Sequence, residues 1–135
     1  MTRIGLALAV TLAWAGVAGA LAPHVEYALN CQGCHRADGA GTPNSVPPLA
    51  GSVARFLAVS GGREYLVRVP GASQAGLDDA ALAELLNWMV ARFDREHLPA
   101  DFAPYTAAEV GPLRKKPLTD VERVRSDLLS RAGRP

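Results

Sequence analysis

The chain has few cysteines and no surplus of charge. Of 135 residues only Cys31 and Cys34 are cysteine, and 14 basic against 13 acidic side chains leave a formal net charge of +1. A balance so close to zero lacks the basic field on which nucleic-acid binding leans. A structural zinc site wants four ligands. With two cysteines, the others would have to be His24 or His97, which stand at no metal-ligand spacing. No segment reads as a β-strand, so the βαβ frame of a thioredoxin-like dithiol is missing as well. There is no internal repeat, and no general acid, base or nucleophile stands out as catalytic.

Apolar side chains, by contrast, make up 49% of the chain. Many lie in "MTRIGLALAVTLAWAGVAGALA", where Arg3 precedes an uncharged run from Ile4, and Ala18 and Ala20 supply the small residues of a cleavage site. Residues 1–20 therefore read as a secretory signal peptide. The alternative is an uncleaved membrane anchor, since Ile4 to Ala22 is long enough to cross a bilayer with little tilt. No cysteine lies near the cut, which speaks against a lipidated end. Cleavage removes only Arg3, so the mature chain is neutral, but its charge is uneven. From Leu77 to Asp101 acids outnumber bases six to two, and from Gly111 onward bases outnumber acids seven to three. Such segments are expected to be solvated and to attract each other.

Periodicity and punctuation predict an all-α chain with long loops. Pro23 to Asn30 is a short helix leading into the cysteines, and "ADGAGTPNSVPPLAG" (37–51) is a loop. The stretch "SVARFLAVSGGREYLVRV" is expected to form two short helical pieces split at Gly61-Gly62. The strongest helix follows Asp78, a good N-cap, with Leu82, Leu85, Leu86, Met89, Val90 and Phe93 on one broad stripe. Trp88 flanks that stripe, and Pro99 and Pro104 are expected to end the helix. "PADFAPYTAAEVGPLRKKP" reads as mostly irregular. A last helix spans 119–130, with Thr119 and Glu122 as a capping box and Val121, Val124 and Leu128 on one face. Short helices around a small aliphatic core are marginal alone, so a staple such as a metal, disulfide or bulky cofactor is expected.

The two cysteines and the histidine that follows them supply that staple. Cys31, Cys34 and His35 form C-x-x-C-H, the spacing of covalent haem attachment. Residues i and i+3 share one side of a helical turn, so each thiol can add across one haem vinyl group while His35 turns its ring to the iron. A plain disulfide would explain the cysteines and leave His35 to chance.

At these residues the chain resembles the small class I c-type cytochromes, over roughly Pro23 to Phe93. Tyr27 stands where that family has an aromatic in its first helix. Pro47 and Leu49 stand where it has a proline and a leucine beyond the motif. The helix around Leu85, Trp88 and Met89 resembles its last helix. The resemblance implies a small all-α domain (23–98) around one covalent haem c, followed by a C-terminal extension (99–135). It also implies that the Pro47 carbonyl accepts the Nδ1 proton of His35. Where the family carries a methionine as sixth ligand, ahead of a proline, this chain has Val69 before Pro70. Met89 and His97 are the candidates left, with Met89 better suited to soft packing against the porphyrin, and a vacant site or a ligand donated by a partner are further alternatives. Arg55, Arg63, Tyr65 and Arg68 are candidates for the haem propionates, or else line an exposed face. The implied function is periplasmic single-electron transfer between a dehydrogenase and a respiratory acceptor. The alternative is a haem protein with an open sixth position that binds small ligands or serves a catalytic oxidoreductase.

Overall fold

The computed structural model describes residues 21–133; the expected signal peptide lies outside them. As the sequence predicts, the fold is all-α. Among the described residues the one β feature is an isolated bridge pairing Thr42 with Val46, inside the long loop. Helix α1 (Pro23–Asn30) begins on proline and runs into α2 (Gln32–His35), a single turn that carries the C-x-x-C-H motif. After the loop come a 3-10 turn (Ala54–Ala58), α3 (Gly62–Arg68) and α4 (Pro70–Ser73). Then follow α5 (Asp79–Phe93), a second 3-10 turn (Arg95–His97), α6 (Ala107–Arg114) and α7 (Val121–Arg131).

The break between the first 3-10 turn and α3 falls at the glycine pair for a steric reason. Gly61 takes a left-handed φ of 86° as N-cap of α3, and a side chain on Gly62 would overlap the carbonyl oxygen of Phe56. Only glycine lets the chain fold back this closely.

Helix α5 is the spine. Asp78 caps it by accepting the Ala81 N–H at 2.8 Å. Its stripe is broad because it serves two cores. Leu85, Met89, Val90 and Phe93 pack with Tyr27 and Phe56 in one cluster, while Leu82, Ala83 and Leu86 pack with Val67, Tyr105 and Val110 in another. The helix stops at Phe93, well before the prolines expected to end it. Its C-cap is Asp94, 3% exposed, whose carboxylate accepts the Ala54 N–H at 2.8 Å and meets His97 Nδ1 at 2.5 Å. A buried carboxylate with these partners is satisfied, and it ties both 3-10 turns to the end of the spine.

The C-terminal extension differs from the sequence reading in two places. The segment expected to be irregular contains α6, capped by Thr106, whose hydroxyl accepts the Glu109 N–H at 3.3 Å. Gly111 and Pro112 are poor helix residues, but Gly111 has a packing role: a Cβ there would come within 2.5 Å of the Asp79 carboxylate. Its small size lets α6 lie against the start of α5. The second difference is the cap of α7, which is Asp120 rather than Thr119. Asp120 accepts the Arg123 N–H at 3.2 Å and pairs with the Arg123 side chain at 2.8 Å.

Both helices of the extension pack back on the domain. Tyr105 and Val110 enter the second core, and Leu128, 1% exposed, enters the first. Arg114 donates to the carbonyls of Ser73, Ala75 and Leu77 and pairs with Asp79 at 3.2 Å, so the basic and acidic segments do meet there. In α7, by contrast, Arg123 and Arg131 pair within their own helix region, with Asp120 and Asp127.

Candidate functional site

The motif is held by its flanks. The Cys31 N–H closes α1 on the Tyr27 carbonyl at 2.9 Å, and the His35 N–H bonds the Cys31 carbonyl at 2.9 Å, which winds the cysteines onto one turn. Arg36, the next residue, takes a φ of 64°, a costly backbone for a non-glycine. Its carbonyl is pinned by the Tyr27 hydroxyl, which donates at 2.6 Å. Tyr27 is in turn packed between Trp88 and Phe93, with ring centroids 5.4 and 4.9 Å away. The aromatics of α1 and α5 thus set where the chain leaves the motif.

Across the turn, the loop brings Pro47 beneath the imidazole. His35 Nδ1 lies 3.2 Å from the Pro47 carbonyl oxygen. A carbonyl only accepts, so Nδ1 carries the proton in this pair and Nε2 keeps a free lone pair. Burial lowers the His35 pKa, with the Pro47 contact opposing it in part, and this favours the neutral, ligating imidazole. The thiols are unequal. Cys34 is exposed, whereas Cys31 is half-buried with its pKa pushed up to about 11, first by burial and then by Cys34.

Cys31, Cys34 and His35 open onto a cavity of about 310 Å³. Its walls are aliphatic and aromatic: Phe56 and Leu66 on one side, Leu82, Leu85 and Met89 of α5 on another. Pro47 and Leu49 line it on the loop side, and Val69 and Pro70 at the turn between α3 and α4. The volume is at the lower end of the range of about 300–1,000 Å³ common for ligand cavities. A flat, apolar ring with two vinyl groups to bond and a metal to ligate matches this donor set, so the residues fit a covalent haem.

No protein-family model matches the chain. A cytochrome c-552 of Thermus thermophilus is 38% identical over 122 residues, taking in 77% of this chain and 82% of that protein. A second cytochrome c-552 of the same species is 39% identical over 107 residues, 66% of this chain and 82% of its own length. The chain belongs to the c-type cytochromes. Its cofactor is covalently bound haem c. The 122 aligned positions exceed the 77% of this 135-residue cytochrome that they take in, so the relative carries residues that have no counterpart in this chain.

Several site residues of this cytochrome lie elsewhere than the sequence suggested. Met89, 9% exposed, does line the cavity with His35. His97 does not; it sits on the second 3-10 turn with Nδ1 against Asp94. Of the four propionate candidates only Tyr65 lines the cavity. Arg63 is held by Glu109 and the Ala103 carbonyl, Arg68 by the Lys116 carbonyl and Arg55 by the Gly51 carbonyl. Sequence reasoning also missed Val121 and Arg125 of α7, which do line it. Their i, i+4 spacing on an amphipathic helix was the available signal, but nothing in the sequence says which wall that helix covers.

Proposed function

We propose that this c-type cytochrome is a periplasmic electron carrier, taking single electrons from a dehydrogenase and passing them to a respiratory acceptor. The observation that supports it best is one apolar cavity onto which two thiols and a carbonyl-backed imidazole all open. Haem bound there supplies reversible one-electron chemistry at iron. Cys31 and Cys34 would anchor the haem through thioethers, His35 would ligate its iron, and Pro47 would fix the imidazole's orientation and basicity through Nδ1. Tyr27 and the α5 aromatics hold the anchors, and the aliphatic walls would keep water from a bound haem iron. The periplasmic site rests on the signal-like N-terminus; among the described residues no helix is long and apolar enough to cross a membrane.

Met89 is our candidate for the sixth ligand, because it shares the cavity with His35. A second reading, an open sixth position that binds small diatomic ligands, is favoured by the turn at Val69-Pro70, which offers no donor side chain to the cavity. The deciding experiment uses holoprotein from a host with haem-maturation machinery. The carrier reading expects haem mass retained on a denaturing gel and lost in Cys31→Ala/Cys34→Ala. It also expects a reduced spectrum unmoved by carbon monoxide that becomes responsive in Met89→Leu. A reduced wild-type protein that shifts its Soret band promptly under carbon monoxide supports the open site instead. Protein of apo-chain mass alone would sink both.

A further inference from the structure

The stretch 70–77, which joins α3 to α5, gives the cavity wall Pro70, Gly71, Ala72 and Ala75. It is thinly packed. Ser73 is its one buried residue, while Ala72 and Leu77 lie half-buried against the second core. Its backbone hydrogen bonds close on themselves and reach back no further than Val69.

One side chain fastens this stretch from outside. Arg114, at the end of α6, donates from Nε to the Ser73 carbonyl at 3.2 Å and from Nη2 to the Ala75 carbonyl at 2.6 Å. Its Nη1 reaches the Leu77 carbonyl at 2.6 Å and Asp79 at 3.2 Å. Among the described residues no other side chain outside the stretch hydrogen-bonds residues 70–77. The Arg114 side chain is only 13% exposed, so these charge-assisted bonds are shielded from water. One group on the same stretch works against them. The Ser73 hydroxyl is buried and has no partner among the described residues, a cost that outward movement into water would relieve. The closed wall is thus held by an arginine of the extension against an unsatisfied hydroxyl.

We propose that Arg114 is a positioning residue for the haem site: it latches the 70–77 wall, and release of that wall admits neutral diatomic molecules to the iron. The inference rests on the reading that haem occupies this cavity. The four wall residues are apolar, so a small uncharged molecule passes them at less cost than an ion does. Entry is then limited by how often the wall opens, a local unfolding event whose population the latch sets.

The test times carbon monoxide binding to reduced holoprotein in a Met89→Leu background, where that side chain leaves the sixth position free. Amide hydrogen exchange of residues 70–77 is followed in holoprotein that keeps Met89. Arg114→Gln is expected to speed carbon monoxide binding about tenfold or more, as the loss of a charge-assisted hydrogen bond implies. Exchange at 70–77 should quicken with it, while α1 keeps its protection. Arg114→Lys keeps the charge but not the fork, and should lie between the two. A Cβ on exposed Gly71 or Gly76 meets open space, so Gly71→Ala/Gly76→Ala adds no clash. By restricting the open backbone it should slow both readouts, and it decides the matter if Arg114→Gln fails to load haem. Arg63→Ala, which loosens the extension at its other clamp, should leave both unchanged. Wild-type rates in Arg114→Gln, an equal gain in Arg63→Ala, or no slowing in the double alanine variant overturns the latch. A wild-type chain without covalent haem overturns the site reading and the ligand route, while exchange at 70–77 still judges the latch by itself.

Discussion

Tyr105 and Arg63 hold each other twice. The Tyr105 hydroxyl donates to the Arg63 carbonyl at 3.0 Å, and the Arg63 guanidinium lies over the Tyr105 ring, 4.0 Å from its centroid. The pair joins α3 to the segment that leads into α6, and Glu109 and the Ala103 carbonyl complete the grip on the guanidinium.

Arg63→Ala is therefore expected to cost about 2 kcal/mol of unfolding free energy, combining a cation–π contact with charge-assisted hydrogen bonds. Glu109→Gln is expected to cost less than about 1 kcal/mol, since that ion pair is partly exposed to water. Urea titrations of the two variants should rank in that order. An equal loss in both would mean that the ion pair, rather than the ring and the carbonyl, carries the contact.

The same tyrosine sets an alkaline limit. Burial lifts the Tyr105 pKa above its usual 10.0, with Arg63 opposing in part. The folded chain thus keeps this proton where the unfolded chain has released it. Its contribution is full below about pH 10 and is lost as pH rises further. Thermal unfolding of Tyr105→Phe should show a shallower loss between about pH 9 and pH 11 than the wild type does. Some slope will remain, because burial raises Tyr27 and Tyr65 as well.

Gly41 protects the histidine's partner. It has a φ of 69°, and a Cβ there would overlap the Val46 carbonyl and come within 2.8 Å of the Pro47 oxygen, the atom that faces His35 Nδ1. Gly41→Ala should destabilise by about 2 kcal/mol or more. It should also move the haem spectrum, which Gly76→Ala, where a Cβ meets open space, should leave alone. A silent spectrum in a destabilised Gly41→Ala would separate the loop's stability from the orientation of the imidazole.

Leu128 measures how firmly the extension is docked. It is 1% exposed in the core shared with Tyr27 and Phe56. Leu128→Ala should cost about 2–5 kcal/mol, whereas Leu129→Ala on the half-buried neighbour should cost less. Similar midpoints for both variants would mean that α7 rests loosely on the surface.

Much of this fold was legible because local chemistry dictated it. The C-x-x-C-H turn, the Asp78 cap, the Gly61-Gly62 break and the α5 stripe each have a cause within a few residues. Apart from the α7 cap, a local choice between Thr119 and Asp120, the misses depend on distant contacts. Helix α6 hides behind Gly111 and Pro112, and its glycine makes sense only beside Asp79. The end of α5 is fixed by a buried carboxylate reaching back to Ala54, where prolines seemed sufficient. Arg55, Arg63 and Arg68 are near the motif in sequence but direct their charge to backbone carbonyls and Glu109. Arg125, far along the chain, is the cation that reaches the cavity. Sequence distance is a poor guide to which charge faces a buried group, because charges are placed by the packing of the elements that carry them.

Synthesis runs from the N-terminus, so Cys31, Cys34 and His35 are made long before Val121 and Arg125. The wall that Val121 and Arg125 add to the cavity is therefore the last part of it to leave the ribosome, although it bounds the same space as the first.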